Sequence, residues 1–305
     1  MLAHRRIRVA QSSTPPIGDW LVVNGKAVQY LVLGTGPDLV LIHGSNGNMR
    51  DMTMSIAYEL STRYRVILFD RPGHGYTEAF DPQGDHIKDQ ALLFRDAALM
   101  LGATRPVVVG HSFGGAIGLA WAIHAPQNIA GLIPLSAVSN TWSTGLTLFY
   151  TLASAPILGK AYSTFVSAFA PEPRIHKNIA AVFAPDPVPH GYRANFGVDM
   201  LLRPKSIHAN ALQRKTLVNQ IDAQVTHYGD ISIPVDIVHG TDDDTVPFHI
   251  HAQKLAEQIP QARLTPLEGI GHMPHHAAPK DVIAAIDRMF DNIPLNNRED
   301  THASL

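Results

Sequence analysis

Short apolar runs of strand length alternate with longer amphipathic stretches over most of this 305-residue chain. The early runs are nearly continuous in Val, Ile, Leu and Phe, which is typical of parallel strands buried on both faces. The first two runs stand close together, like an antiparallel ribbon at a sheet edge. This alternation predicts an α/β fold with a doubly wound, mostly parallel, eight-stranded sheet. The runs cover residues 20–25, 28–34, 38–44, 64–70, 105–111, 129–136, 233–240 and 262–269.

The alternation stops between residues 140 and 229, where prolines cluster between alanine-rich and aromatic helical pieces. We interpret this block as a helical cap inserted after the sixth strand. The predicted organisation is an N-terminal extension, an α/β core in two pieces, the cap and a C-terminal tail. Their bounds are 1–18 for the extension, 19–139 and 230–292 for the core, 140–229 for the cap and 293–305 for the tail.

Two local features refine this prediction. The stretch 51–61 is expected to form a helix, and 87–101 to form another that ends at Gly102, a residue suited to a helix C-terminus. The sixth run contains Pro134. Proline is unfavourable in a central parallel strand because it donates no hydrogen bond, so that strand is expected to be short or bent.

Composition excludes several functional classes. The formal net charge is −2 and there is no basic run, so nothing favours a nucleic acid partner. The absence of cysteine excludes disulfides, a thiolate nucleophile and a Cys-ligated metal. The long apolar stretch 145–171 is interrupted by Pro156 and Lys160, so it does not predict a transmembrane span. With no signal peptide recognised, a cytoplasmic location is expected.

A serine stands at the abrupt end of the fifth apolar run. Residues 110–114 read Gly-His-Ser-Phe-Gly and precede a helix of small residues. This pattern suits a tight strand-to-helix turn that lifts the hydroxyl of Ser112 above the sheet, while the glycines let neighbouring backbone pass closely. The N-terminus of the following helix also points at the Ser112 hydroxyl, and a helix N-terminus stabilises negative charge. Ser112 is therefore a candidate nucleophile.

A serine hydroxyl needs a base, and the base needs an orienting acid. Ligand sites in such sheets lie at the carboxyl ends of the strands. Two later strands are followed by suitable residues: three consecutive aspartates at 242–244, and a histidine-rich loop at 272–276. The order Ser, Asp, His along the chain is the order that this kind of topology requires.

These motifs resemble those of the α/β-hydrolase fold superfamily, over roughly residues 20–292. The resemblance implies a Ser112–His272–Asp243 triad and an oxyanion hole formed by the N–H groups of Ser45 and Phe113. Family members usually carry the acid three residues after a glycine and four before a proline, which favours Asp243 and leaves Asp244 as the alternative. The matching segments read LIHGS, FDRPGHGYT, GHSFGG, HGTDDDTVP and GIGHM.

The chain contains 17 histidines, and several lie close together near residues 249–251 and 272–276. A metal cluster is conceivable there, but no carboxylate shares their spacing in the sequence. We therefore expect neither a metal nor a cofactor.

The resemblance favours a serine esterase that cleaves a carboxylic ester of a small molecule through an acyl-enzyme. Hydrolysis of C–C bonds in vinylogous diketones stays open, because the segment at 43–46 partly matches such enzymes, although Met273 replaces their usual tryptophan. Lactonase, acyltransferase and non-catalytic ligand-binding roles also stay open, as does the oligomeric state. The predicted substrate-binding residues are Asn46, Trp142, Phe149, Phe165, Phe183 and Met273.

Overall fold

The computed structural model describes residues 2–293, and within them eight strands form one sheet. Its order is β1-β2-β4-β3-β5-β6-β7-β8, with β1 and β2 antiparallel at one edge and the remaining strands parallel to one another. The predicted fold class is confirmed. The strands are β1 (Asp19–Val23), β2 (Lys26–Leu33), β3 (Asp38–Ile42), β4 (Arg65–Phe69), β5 (Val107–His111), β6 (Gly131–Leu135), β7 (Asp236–Gly240) and β8 (Arg263–Leu267).

Helices cover both faces of the sheet, so the apolar strands are buried between two layers. On one face Trp121 and Phe94 join the larger core cluster; on the other, Leu60 and Ile286 join the second. The helices outside the segment 140–229 are α1 (Leu2–Ser13), α2 (Arg50–Thr53), α3 (Ala57–Leu60), α4 (Ile87–Met100), α5 (Phe113–His124), α12 (Ala252–Gln258), α13 (Pro274–Ala277) and α14 (Pro279–Asn292).

The segment between β6 and β7 is helical, and we call residues 140–229 the helical insertion. Its longest helix packs against three of the others. The predicted N-terminal extension is largely α1, which packs against the insertion rather than the sheet. The insertion helices are α6 (Leu148–Ala153), α7 (Gly159–Phe169), α8 (Glu172–Phe183), α9 (Tyr192–Phe196), α10 (Val198–Leu201) and α11 (Pro204–Val225).

Two details differ from the sequence expectations. The helix predicted at 51–61 is wrong as a single element: it is two short helices, α2 and α3, separated by a turn. Of the predicted tail, 293–305, only Ile293 belongs to the described residues, and it is buried. No helix in the described range 2–293 is both long and apolar enough to cross a bilayer.

Strand β6 pairs with β5 along its whole length, so Pro134 does not shorten β6 on that side. The N–H groups of Leu132 and Ser136 donate to carbonyl oxygens of residues 234 and 238 on the other side. Residue 134, midway between them, therefore has its missing N–H on the β7 side. Pairing there is reduced to Leu135 with Val238 and an isolated bridge, which is the disturbance that the proline predicts.

The close packing of α5 on the sheet generates a test. A Cβ added at Gly114 would lie 2.3 Å from the carbonyl oxygen of Ile42. Because both partners are backbone, Gly114→Ala should lower the free energy of unfolding by about 1–3 kcal/mol. The matched control is Gly145→Ala, where an added Cβ meets nothing within 4 Å. It should change stability by less than about 0.5 kcal/mol in urea denaturation. Equal stabilities of the two variants would contradict this packing.

Candidate active site

Ser112 occupies a sharp turn between β5 and α5. Its φ of 54° and ψ of −115° lie in a region that side chains rarely adopt. Two backbone hydrogen bonds hold the turn to the end of β6: the Ser112 N–H donates to the Leu135 carbonyl at 2.9 Å, and the Ser112 carbonyl accepts from the N–H of Val138 at 3.2 Å. A Cβ at Gly110 would stand 2.2 Å from the Gly114 carbonyl oxygen, so glycine is required for the chain to turn back so closely. The turn places the serine hydroxyl at the carboxyl end of the sheet.

The structure brings the three predicted residues Ser112, His272 and Asp243 into one chain of hydrogen bonds. The His272 Nδ1–H donates to Asp243 Oδ2 at 2.7 Å, and His272 Nε2 lies 3.1 Å from the Ser112 Oγ. Because the carboxylate is an acceptor, the imidazole proton lies on Nδ1, which leaves Nε2 free to accept from the serine hydroxyl. All three residues are buried. This arrangement can transfer a proton away from Ser112.

Of the three consecutive aspartates, Asp243 is the one whose burial and hydrogen bonds suit the acid that orients His272. Asp242 and Asp244 are exposed, whereas Asp243 is buried and its Oδ1 accepts from the N–H groups of Thr245 and Val246 at 2.9 and 2.7 Å. Burial would raise the pKa of this carboxyl, but the charge of His272 and hydrogen bonds from His239 and His272 hold that pKa well below its usual range. The carboxyl is therefore ionised at neutral pH.

The loop after β3 carries the predicted donor Ser45. Asn210 of α11 fixes this loop: its Oδ1 accepts from the Ser45 hydroxyl at 2.9 Å and from the Asn46 N–H at 3.0 Å. The N–H of Ser45 donates no hydrogen bond within residues 2–293. Phe113 is the first residue of α5, so its N–H has no acceptor within the helix. Both N–H groups are thus available to a ligand oxygen.

Buried polar side chains also hold the loop after β3 that carries Ser45. The His43 Nδ1–H donates to the Gly44 carbonyl at 2.9 Å, and His43 Nε2 accepts from the Arg71 N–H at 2.9 Å. Burial and the charge of Arg71 hold the pKa of His43 well below its usual value, which agrees with a neutral ring. The Arg71 guanidinium also donates to the Gly44 carbonyl at 2.9 Å and stacks over Phe113 at 3.9 Å. One arginine therefore contacts both sides of the predicted oxyanion hole.

A buried carboxylate, Asp51, anchors the loop that carries His272. The Nε2–H groups of His275 and His276 donate to its two oxygens at 3.1 and 2.9 Å, and the Tyr192 hydroxyl donates at 3.2 Å. Burial raises the pKa of Asp51, but His275 and His276 lower it more strongly, so it lies well below its usual range. Because Tyr192 lies in α9, this carboxylate ties the histidine loop to the helical insertion.

No carboxylate shares the spacing of the histidines in the sequence, but folding brings Asp51 to them from a distant segment. Ligand atoms of Asp51, His111 and His275 lie within 4.8 Å of one another, and this is the group within the described residues that could hold a metal. However, Asp51 already accepts three hydrogen bonds, and the His111 Nε2–H donates to the His272 carbonyl at 2.8 Å. These contacts explain the cluster as a support for the loop of His272.

The predicted substrate-binding residues are dispersed. Trp142 packs edge-on against His251, 5.8 Å between ring centroids. Asn46 is exposed and its amide donates to the Tyr150 hydroxyl of the insertion at 3.2 Å. Met273 and Phe183 are buried in the apolar cluster beside His276, where Phe183 packs on Tyr192. Phe149 and Phe165 are exposed, and Phe149 contacts the same Tyr150 that Asn46 binds. The substrate-binding role of these six side chains stays a prediction.

Sequence reasoning missed Asp51, Asn210 and His239. Asp51 and Asn210 act from segments separated by 159 positions, and no short motif surrounds either one. His239 lies four residues before Asp243, and its Nε2 is 3.2 Å from the Asp243 Oδ2. That i, i+4 spacing, which runs from the end of β7 into the loop after it, was the one signal in the sequence that pointed to a missed residue.

Comparisons with known proteins show which family and which solved structures the chain is similar to. The model of the alpha/beta hydrolase family matches residues 39–286. An uncharacterized protein of Mycobacterium bovis is 28% identical, with 94% of this chain and 85% of that protein covered. Lipase 1 of Psychrobacter immobilis is 27% identical, with 84% and 75% covered. The crystal structure of a putative lipase from Acinetobacter baumannii superposes with a TM-score of 0.72 at 21% identity, covering 96% and 97% of the two chains.

The Asp51 network generates a stability prediction. Asp51→Asn replaces one charged acceptor by an amide N–H₂ group that faces the N–H of a histidine, so the free energy of unfolding should fall by about 3 kcal/mol at neutral pH. The folded-state pKa of Asp51 is depressed. Its contribution is therefore present above the unfolded pKa of about 4 and is lost as the pH falls through the folded value.

Urea denaturation at several pH values measures this difference. The matched control is Asp222→Asn on the exposed side of α11, which should change stability by less than about 0.5 kcal/mol. An Asp51→Asn protein as stable as this control at neutral pH would refute the anchoring role.

Proposed function

The chain belongs to the alpha/beta hydrolase family, and from this premise we propose that it is a serine hydrolase that cleaves carboxylic esters of small molecules through an acyl-enzyme. The observation that carries the proposal is the unbroken hydrogen-bonded chain Ser112–His272–Asp243, with distances of 3.1 and 2.7 Å. Such a chain in a buried site provides a nucleophile, a base and an orienting acid at once.

In the proposed reaction, the Ser112 Oγ attacks the ester carbonyl carbon while His272 Nε2 takes the hydroxyl proton. The carbonyl oxygen becomes an oxyanion, which the N–H groups of Ser45 and Phe113 stabilise at the N-terminus of α5. Asp243 holds the Nδ1–H tautomer and stabilises the imidazolium. His272 then returns the proton to the departing alkoxide, which leaves as the alcohol.

A water molecule completes the cycle. His272 Nε2 takes a proton from this water, whose oxygen attacks the acyl carbon, and the second oxyanion occupies the same two N–H groups. Collapse of that intermediate breaks the bond to the Ser112 Oγ, and His272 returns the proton to the serine. The products are a carboxylic acid, an alcohol and the free enzyme, so no cofactor is consumed.

Helical elements of the insertion support a role as a cap over this reaction. Asn210 of α11 holds the Ser45 loop, and Tyr150 of α6 contacts Asn46, which follows Ser45 directly. We assign to the insertion the selection of the acyl or alcohol group, since its side chains approach the oxyanion loop from above. Met273, next to the base, belongs to a buried apolar cluster with Phe183 and Phe196 of the insertion, and we assign it to the apolar part of the substrate site.

The first test removes the nucleophile. Ser112→Ala should abolish hydrolysis of p-nitrophenyl acetate and butyrate, because no other group can form the acyl-enzyme, while circular dichroism and the unfolding midpoint stay close to those of the wild type. Retention of full activity in this variant would end the proposal.

The second test separates the three aspartates. Asp243→Asn should lower kcat for the same esters by about 10³–10⁴, because the amide cannot stabilise the imidazolium and favours the wrong tautomer. The exposed neighbours provide matched controls, and Asp242→Asn and Asp244→Asn should retain kcat within about twofold. A large loss in Asp244→Asn with an active Asp243→Asn would transfer the role of the acid to Asp244.

The same assay distinguishes ester cleavage from hydrolysis of a C–C bond. A substrate panel should contain acyl esters of increasing length, lactones and a vinylogous diketone. We expect the highest kcat/KM on an ester; a clear preference for the diketone would replace the ester assignment while leaving the catalytic residues in place.

A further inference from the structure

Large apolar side chains are exposed on one part of the helical insertion. Of the sixteen such side chains exposed within the described residues, eight lie in the segment 146–169, which comprises α6, α7 and the turn between them. We call these exposed side chains of residues 146–169 the α6–α7 patch. Ile157 at the turn is 89% exposed and Leu158 is 67% exposed. Single exposed apolar residues are ordinary, but such a concentration marks an interaction surface.

Helix α7 exposes its two phenylalanines, while Tyr162 and Val166 are partly buried against the insertion. Its buried positions are Gly159, Ser163 and Ser167, which pack towards the rest of the insertion, whereas Phe165 and Phe169 stand 60% and 58% exposed. The two phenyl rings contact each other, with centroids 5.0 Å apart. A helix that packs only against its own domain would place phenylalanine on its buried face and serine on its solvent-exposed face. The outer face of α7 therefore requires an apolar environment from outside the chain.

Helix α1 adds positive charge beside this patch. It packs on α7 through buried Ala3 and Ala10, and the Arg6 guanidinium donates to the Ser167 carbonyl at 2.7 Å. Arg5 and Arg8 lie on its exposed side.

The local charge differs from that of the whole chain. Residues 2–18 and 141–184 together contain six Lys and Arg residues and one carboxylate, Glu172, which pairs with Arg193 at 2.8 Å. The complete sequence has 24 basic and 26 acidic residues. Around α1, the carboxylates of Glu172 and Asp199 pair with Arg6 and Arg193. The exposed arginines of this helix, Arg5 and Arg8, therefore supply the positive charge beside α7.

We propose that the α6–α7 patch and the exposed arginines of α1 form one docking surface for a membrane rich in anionic phospholipid. The apolar side chains enter the boundary between headgroups and acyl chains, and the arginines lie among the phosphates. Peripheral membrane binding draws on both contributions, buried apolar area and attraction to anionic lipid. The inference does not rest on the reaction proposed above.

A second copy of this chain fits the surface less well. A twofold dimer would bring the same patch of each copy together, and with it Arg5 and Arg8 of both copies. Like charges facing each other across an interface oppose association. An anionic bilayer satisfies the apolar and the charged parts of the surface together.

Co-sedimentation with vesicles tests the proposal. The full-length protein should bind vesicles of phosphatidylcholine mixed with phosphatidylglycerol, and should bind pure phosphatidylcholine at least about tenfold more weakly. Binding should weaken as salt is raised, because salt screens the attraction of the arginines to the lipid phosphates. Equal binding to both kinds of vesicle, or none to either, would overturn the proposal.

Matched variants separate the two parts of the surface. Ile157→Ser with Leu158→Ser should reduce vesicle binding at least about tenfold, whereas Val22→Ser with Met100→Ser, which removes exposed apolar residues elsewhere, should not. Equal losses in the two pairs would contradict the assignment to the α6–α7 patch. A concentration-dependent dimer that Ile157→Ser with Leu158→Ser dissolves would identify a second copy as the partner and overturn the proposal.

Charge reversal provides the complementary pair. Arg5→Glu with Arg8→Glu should lose binding to anionic vesicles at least about tenfold, and Lys88→Glu with Lys254→Glu, exposed on other helices, should lose little. Ser112→Ala should bind vesicles like the wild type. Vesicle binding therefore fails or succeeds independently of the proposed hydrolysis.

Discussion

The site depends on the backbone constraint at Ser112. A positive φ at a residue with a side chain costs free energy, and the surrounding packing must maintain it. Here the turn is held between β6, which binds the Ser112 backbone, and the close approach of Gly110 to Gly114. Since α5 begins immediately after the serine, the same turn orients the hydroxyl and leaves the Phe113 N–H unpaired at the same place. The strained turn at Ser112 therefore positions both the hydroxyl that attacks and the Phe113 N–H that binds the oxyanion.

Non-local hydrogen bonds hold the remaining groups around that turn. Asp51 anchors the loop of His272 through His275 and His276, and Asn210 anchors the loop of Ser45. Both anchors also involve the helical insertion, through Tyr192 and through α11 itself. Consequently the insertion and the groups at the carboxyl ends of the strands form one connected structure. A change in the insertion should therefore alter the positions of His272 and of the Ser45 loop.

The sequence predicted what is encoded locally. Apolar runs identified the strands, and the glycines around Ser112 identified the turn, because both are imposed by neighbouring residues. Asp243 was selected through the resemblance to the α/β-hydrolase fold superfamily, by its spacing to a glycine and a proline. Asp51 and Asn210 could not be predicted, since each meets its partners only after folding joins segments more than a hundred residues apart. The roles predicted for the aromatic residues of the insertion rest on composition, and composition does not say which of them are exposed, as Phe165 is in the structure.

A fluorophosphonate probe measures the central claim most directly, because it forms a covalent bond only with a serine whose proton a neighbouring base removes. The account predicts one adduct per chain in the intact mass of the wild-type protein, located on the peptide that contains Ser112. Absence of an adduct from the correctly folded protein, or an adduct on a different residue, would contradict the account.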